Sequence, residues 1–258
     1  MNPISDTFFR QMVSRAIRRD YLENVTGFAL LFLQPLMLLA IYTFVFTTIF
    51  KARVAGDSSI GFVPYLAVAF WPWTAFSESV LRASGSIRSN AALIGKVAIP
   101  AAAIPLSTVT AAFLMNMAGY LAVLLVMQLL GTSLNWPGLL AALPLLFMMF
   151  LFACALALFL AALQVFIRDV GKILPPLMTF WFFATPILYS SSVLPERAAA
   201  LMKFNPMAWY VERLRDFILF GNFELGAWDL AVPALTLVLL WAAHRFFTRV
   251  SSHFEDFL

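Results

Sequence analysis

Between Val97 and Ile167 the chain carries no Asp, Glu, Lys or Arg, a run of 71 residues. A helix needs about 20 apolar residues to cross the hydrocarbon core of a bilayer. A run more than three times as long is no core helix of a water-soluble domain. Its ends are informative as well. Lys96 stands before it, and Arg168 and Lys172 follow it. Positive flanks favour the cytoplasm, so both ends lie on one side and the number of crossings is even. The run reads as a two-helix hairpin, turning at 131–138, where Gly, Asn and Pro are turn formers and Trp136 suits an interface.

The same reading along the chain predicts six spans, at 28–50, 62–82, 101–130, 139–165, 173–190 and 230–248. Residues 7–22 have a different pattern. Phe9, Val13 and Ile17 repeat every four residues, with Phe8, Met12 and Ala16 beside them. Arg10, Ser14 and Arg18 make one polar row, and Gln11, Arg15 and Arg19 another. This predicts an amphipathic helix lying flat in the interface, with Ser5 or Asp6 as its cap. Residues 191–228 mix apolar side chains with charges, and no stretch there is clean enough to span. They predict one or two short re-entrant or interfacial helices, broken at Asn205-Pro206 and capping or lining a cavity. The fold class is therefore an all-α polytopic membrane protein forming one domain over 1–258.

Composition agrees: 62% of residues are apolar and 12% charged, against about 25% charged in soluble domains. The net charge of +4 does not argue for nucleic acid, because the basic residues border apolar runs instead of massing on one segment. With both termini inside, the cytoplasmic Lys and Arg number eleven and the outer ones six. Four of those six sit in the one long outer loop, which counts least in this rule. The single cysteine, Cys154, excludes an intrachain disulfide and a Cys-based metal cluster. No compact apolar segment of signal-peptide type precedes Phe28.

The chemistry of a soluble enzyme is missing. Gly95-Lys96 lacks the spacing of a P-loop, and neither HExxH nor GxSxG occurs. No metal site is predicted; His244 and His253 read as interfacial residues. Glu78 precedes Arg82 by four positions, as in a helix-end ion pair. An intramembrane acid is also a functional candidate. Asn116 and Gln128 read as helix-to-helix hydrogen-bond partners. The positive signal is aromatic: 27 Phe, 7 Trp and 6 Tyr. Such faces could stack on sugar rings along a slippery pore, or simply pack and face lipid. The candidates for a substrate path are Tyr42, Phe46, Trp181, Phe182 and Tyr189.

Four segments resemble one family. LQPLMLLAIYTFVFTTIFKAR (33–53), SNAALIGKVAIPAAAIPL (89–106), QVFIRDVGKILPPLMTFWFFATPILYS (164–190) and FNPMAWYVERLRDFILFG (204–221) are similar, in order and spacing, to permeases of ABC exporters for lipid-linked polysaccharides. That family includes O-antigen, capsule and teichoic acid exporters. The resemblance implies a homodimer of permeases in the bacterial inner membrane, paired with two ATP-binding subunits that hold the ATP and Mg. This chain would have no cofactor and no ATPase site of its own. It assigns 83–99 to a cytoplasmic coupling segment, with Asn90, Leu93, Ile94, Lys96 and Val97 against the ATPase and Arg168 and Asp169 supporting the same face. Arg15, Arg18 and Arg19 would form the inlet for a lipid diphosphate head, though anchoring to anionic lipid explains them equally. Asn205, Pro206, Trp209 and Arg213 would belong to an outer gate. Two other readings stand beside this one: an ABC permease for a drug or lipid, and an integral membrane enzyme acting on lipid-linked sugars.

Overall fold

The computed structural model describes residues 3–19, 33, 36–49, 61–94, 100–129 and 131–257. Among these there is no strand. The helices are α1 (Pro3–Ile17), α2 (Leu36–Ile49), α3 (Phe62–Ser84), α4 (Ser86–Ser89), α5 (Ala103–Leu129), α6 (Trp136–Phe166), α7 (Val170–Phe183), α8 (Glu196–Met202), α9 (Pro206–Arg215) and α10 (Trp228–Val250). Short 3₁₀ turns follow α4 at Ala91–Leu93 and α10 at Ser251–Asp256. A wider π-turn extends α9 through Asp216–Phe220.

Three of these helices are long and apolar enough to cross a membrane: α5, α6 and α10, the last counted on through Asp256. The first two are the predicted hairpin. Its turn is shorter than expected, because Asn135 caps α6 by accepting the Gly138 N–H at 2.8 Å, and Pro137 needs no N–H in a first turn. Trp136, Pro137 and Gly138 are thus helical. Gln128 does not bridge helices; its Oε1 accepts the Leu134 N–H at 3.2 Å and closes the hairpin turn. Helix α3 has 23 residues, about 34 Å of rise, and is the most enclosed element. Leu66, Ala67, Val68, Ala69, Phe76 and Val80 are fully buried. It packs against α5, α6, α7 and α9.

Two expectations need correction. Helix α1 is already under way at Pro3, so Ser5 and Asp6 lie in its first turn and cannot be its cap. The expected element at 173–190 is helical only over α7, 14 residues at Val170–Phe183, and turns through Ala184–Ser190. The cause is Pro186, which offers no N–H and pushes Thr185 out of the α region. The part of the 28–50 stretch before Leu33 falls outside the described residues.

Hydrocarbon is as apolar as Leu, so close packing, not exclusion of water, brings such helices together. On α6, Ala153, Ala157 and Ala161 repeat every four residues and are fully buried. This small-residue stripe lets α3 and α10 approach closely. A second buried cluster forms near the other end of α6, where Ile87 of α4 meets Leu158, Ala161, Ala162 and Val165 with Phe247 and Phe254.

Candidate functional site

The candidate residues separate onto the two ends of the bundle. At the α4 end, α3 stops at Gly85 and α4 begins at once. The side chain of Asn90 closes α4: its Nδ2 donates to the Ser86 carbonyl at 2.8 Å and to Ser89 Oγ at 3.2 Å. The 3₁₀ turn containing Leu93 follows, and Ile94 packs on the second core cluster. Lys96 and Val97 lie outside the described residues. Arg168 and Asp169 form the exposed turn between α6 and α7. The Asp169 carboxylate meets Lys172 Nζ at 3.2 Å, a solvent-screened pair of little strength.

Helix α1 lies along the start of α5. The two polar rows read from the sequence border two different hollows. Gln11, Arg15 and Arg19 line a cavity of about 210 Å³ with Asn90, Ser107 and Thr108. Arg10, Ser14 and Arg18 face a more open recess beside Thr110. Arg15 and Arg19 therefore share a hollow with Asn90, and Arg18 does not.

Tyr42, Trp181 and Phe182 join one ring system with Phe70 and Trp73 of α3. Tyr42 stacks on Phe182 at 6.0 Å and meets Phe70 edge-on at 5.9 Å. Phe46 stacks on Phe62 at 5.5 Å. Trp181 stands edge-on to Trp73, Phe76 and Phe152. Phe182 is only 7% exposed, so its ring lies inside the helical bundle. The exposed apolar face of α7 is formed instead by Ile173, Leu177 and Phe180. Tyr189 lies in the turn after α7, where its hydroxyl donates to the Phe183 carbonyl at 3.0 Å.

At the opposite end, the hairpin turn meets the loop of short helices. The chain breaks at Asn205-Pro206 as expected. Asn205 caps α9 by accepting the Met207 N–H at 3.0 Å, with Pro206 in the first turn. Trp209 sits edge-on to Tyr210 at 4.9 Å. Arg213 pairs with Asp216 at 3.2 Å and Asp229 at 2.7 Å, and donates to the Glu224 carbonyl at 2.8 Å. The Asp229 contact is an ion pair without hydrogen-bond alignment. Burial pushes the Asp216 carboxyl above its usual range, and Arg213 draws it partly back. By contrast, α8 contributes no buried residue.

Sequence reasoning passed over Arg215, which is 3% exposed. Its Nε donates to the Tyr65 carbonyl at 3.1 Å, Nη1 to Pro186 at 2.6 Å and Nη2 to Ile187 at 2.7 Å. The guanidinium also lies 3.6 Å over the Tyr65 ring. One side chain thus joins α9 to the start of α3 and to the turn after α7. Desolvation lowers its pKa from the ordinary guanidinium range to about 10, so it stays charged at neutral pH. A signal was available. Met207, Val211 and Ile218 are spaced for one helical face, and position 215 completes it.

No group of three or more His, Cys, Asp or Glu capable of holding a metal occurs among the described residues. Glu78 of α3 is partly buried. It meets Arg82 at 2.7 Å, and its other oxygen accepts from Asn116 Nδ2 of α5 at 2.8 Å. Its contacts join α3 to α5.

Comparison with known proteins bears on the whole arrangement. Residues 7–219 match the family model described as "ABC-2 type transporter". The chain is 29% identical over 250 residues to the "O-antigen export system permease protein RfbA" of Myxococcus xanthus, covering 95% of this chain and 93% of that one. It is 26% identical over 219 residues to a Klebsiella pneumoniae protein of the same description, covering 83% and 81% respectively. A second Klebsiella pneumoniae protein of that description is 24% identical over 218 residues. With 213 of its 258 residues inside one family model, and apolar helices of spanning length within that stretch, the chain belongs to the ABC-2 type transporter family of membrane proteins.

Proposed function

We propose that this chain is the membrane-spanning subunit of an ATP-driven exporter that moves a lipid-linked polysaccharide, O-antigen first among the candidates, from the cytoplasmic face across the inner membrane. The observation that carries this reading is the near full-length likeness to O-antigen export permeases. In this reading two copies assemble with two ATP-binding subunits, which hold the ATP and Mg. The chain crosses the membrane six times with both termini inside. The α4 end, with Asn90, Leu93, Ile94, Lys96, Val97, Arg168 and Asp169, faces the ATPase.

The geometry supports a division of labour. Arg15 and Arg19 share a hollow with Asn90, which suits an anionic head arriving beside the segment the ATPase moves. The paired path helices would be α2 and α7, with Tyr42 and Phe182 packing them together and Phe46, Trp181 and Tyr189 near the outer end. In the outer loop, Asn205, Pro206, Trp209 and Arg213 would hold the gate.

The test is deletion of the chain in its host, with surface polysaccharide and lipid-linked intermediates measured together. The reading expects loss of surface O-antigen and accumulation of lipid-linked glycan inside. Both should be restored by the wild-type chain only when the ATP-binding subunit is functional. Unchanged surface glycan would overturn the substrate assignment.

A further inference from the structure

Gln164 lies in the last turn of α6, at a joint among three helices. A Cβ at Gly171, in the first turn of α7, would stand 2.5 Å from Gln164 Nε2, and one at Gly85, between α3 and α4, would stand 3.8 Å from it. The missing Cβ at Gly171 therefore leaves room for this amide, while one at Gly85 would only touch it at ordinary contact distance. Arg88 of α4 donates from Nη1 to the Gln164 carbonyl at 3.5 Å. The neighbouring Ile87 is fully buried in the cluster it shares with Leu158, Ala161 and Val165 of α6. Helix α4 is thereby attached to the end of α6 through packing on one side and the hydrogen bond to the Gln164 backbone carbonyl on the other.

Among the described residues, two buried polar atoms at the joint have no hydrogen-bond partner, Ser86 Oγ and Gln164 Oε1. Ser86 follows Gly85 directly, and a Cβ at Gly85 would stand 3.8 Å from the amide nitrogen of Gln164. A hydroxyl can donate and a carboxamide oxygen can only accept, so the two are chemically complementary. Buried polar groups are almost always paired, and leaving them unpaired is costly. A packed joint that satisfies its polar atoms in one of two arrangements is a two-state element.

We propose that Gln164 is a positioning residue that passes movement of segment 83–99 into α6 and α7. A short slide of α4 along α6 brings the Ser86 hydroxyl onto Gln164 Oε1, so the displaced arrangement gains a hydrogen bond that the present one lacks. The ATPase shifts this equilibrium by moving α4, and the amide makes α6 and α7 follow. The proposal rests on reading 83–99 as the ATPase-facing segment.

The test uses the full complex of permease and ATP-binding subunit in proteoliposomes, with ATP hydrolysis and glycan export measured on the same preparation. Gln164→Met keeps the side-chain volume and removes the amide. Ser86→Ala removes only the hydroxyl. Both are expected to hydrolyse ATP within twofold of wild type and to export at least tenfold less per ATP. Ser86→Thr, which keeps a hydroxyl, should recover most of the loss. If Gln164→Met does not assemble, Ser86→Ala and Ser86→Thr decide the matter alone. Asn90→Cys, paired with a single cysteine in the ATP-binding subunit, reports the contact itself. A cross-link together with unchanged export per ATP in the Ser86 and Gln164 variants overturns the role of this joint only. Absence of any cross-link overturns the reading of 83–99, and this proposal with it.

Discussion

The indole N–H of Trp181 donates to Asn205 Oδ1 at 2.9 Å, joining the end of α7 to the cap of α9. The same Asn205 donates from Nδ2 to the Ala184 carbonyl at 3.0 Å and to Thr185 Oγ1 at 3.1 Å. One amide therefore closes the turn after α7 and starts the next ordered helix. An aromatic residue proposed for the path and a polar residue proposed for the gate thus belong to a single hydrogen-bonded unit.

Replacing Asn205 should accordingly cost more than an ordinary helix cap, worth about 1 kcal/mol. Asn205→Ala loses the acceptor for Trp181 and Met207 and both Nδ2 donors. Asn205→Asp keeps the acceptor and loses the donors. The expected order of thermal stability in detergent is wild type, then Asp, then Ala. Trp181 fluorescence should respond to Ala more than to Asp. Equal stability of all three would refute the shared role.

Arg215 gives a second prediction, with a pH signature. Arg215→Lys retains the charge but cannot reach three carbonyls with a planar fork. Each charge-assisted hydrogen bond lost costs about 1.5–3 kcal/mol, so a marked fall in melting temperature is expected. For the wild type, the guanidinium pKa is lower folded than unfolded. The cost of burying the charge is thus complete below about 10 and is relieved only as pH rises above that value. Arg215 adds no pH dependence near neutrality. A buried lysine starts from a lower pKa, about 10.4, and the same desolvation moves it towards neutral pH. Arg215→Lys should therefore gain stability between pH 7 and pH 9 relative to wild type. Parallel curves would count against the buried-charge account.

Gly138 is fixed by a close approach of backbones. A Cβ there would lie 1.8 Å from the Phe217 carbonyl oxygen, and the adjoining Asn135 N–H donates to the Ile218 carbonyl at 3.0 Å. Backbone cannot give way as a side chain does. Gly138→Ala should destabilise by at least the ~1–3 kcal/mol typical of overpacking. Gly226→Ala, where a Cβ meets its nearest neighbour at an ordinary 3.8 Å, should stay within about 0.5 kcal/mol of wild type. Comparing the two melting temperatures checks the contact.

The Glu78–Asn116 hydrogen bond between α3 and α5 predicts non-additivity. Glu78→Gln and Asn116→Leu, made singly and together, should show a coupling of about 0.6 kcal/mol, as found for hydrogen bonds between membrane helices. Full additivity would mean that the two helices are held by packing alone.

The legible part of this protein is what one dimension can carry. The hairpin α5–α6 followed from an uninterrupted apolar run, and α1 from its four-residue repeat. The break at Asn205-Pro206 followed from a capping residue beside a residue that starts helices. The stop of α7 was written in Thr185-Pro186 as well, but apolar continuity through Ile187 and Leu188 obscured it. Arg215 was harder to see. On charge alone it reads as solvated; its neighbours at helical spacing mark it as buried. Gln164 left no trace at all, since its meaning depends on Gly85 and Gly171 being beside it.

What the chain determines by itself is which segments can leave water, because that cost is paid by each segment alone. The distribution of charges along it separated two groups of residues, and the structure places Arg15 and Arg88 at one end and Arg213 and Arg215 at the other. Which polar groups satisfy one another was decided only by the tertiary structure. Tyr65 and Arg215 are 150 positions apart, and no local pattern links them. Their contact exists because a buried guanidinium needs acceptors, and only the packed arrangement of α3, α7 and α9 presents three carbonyls to it.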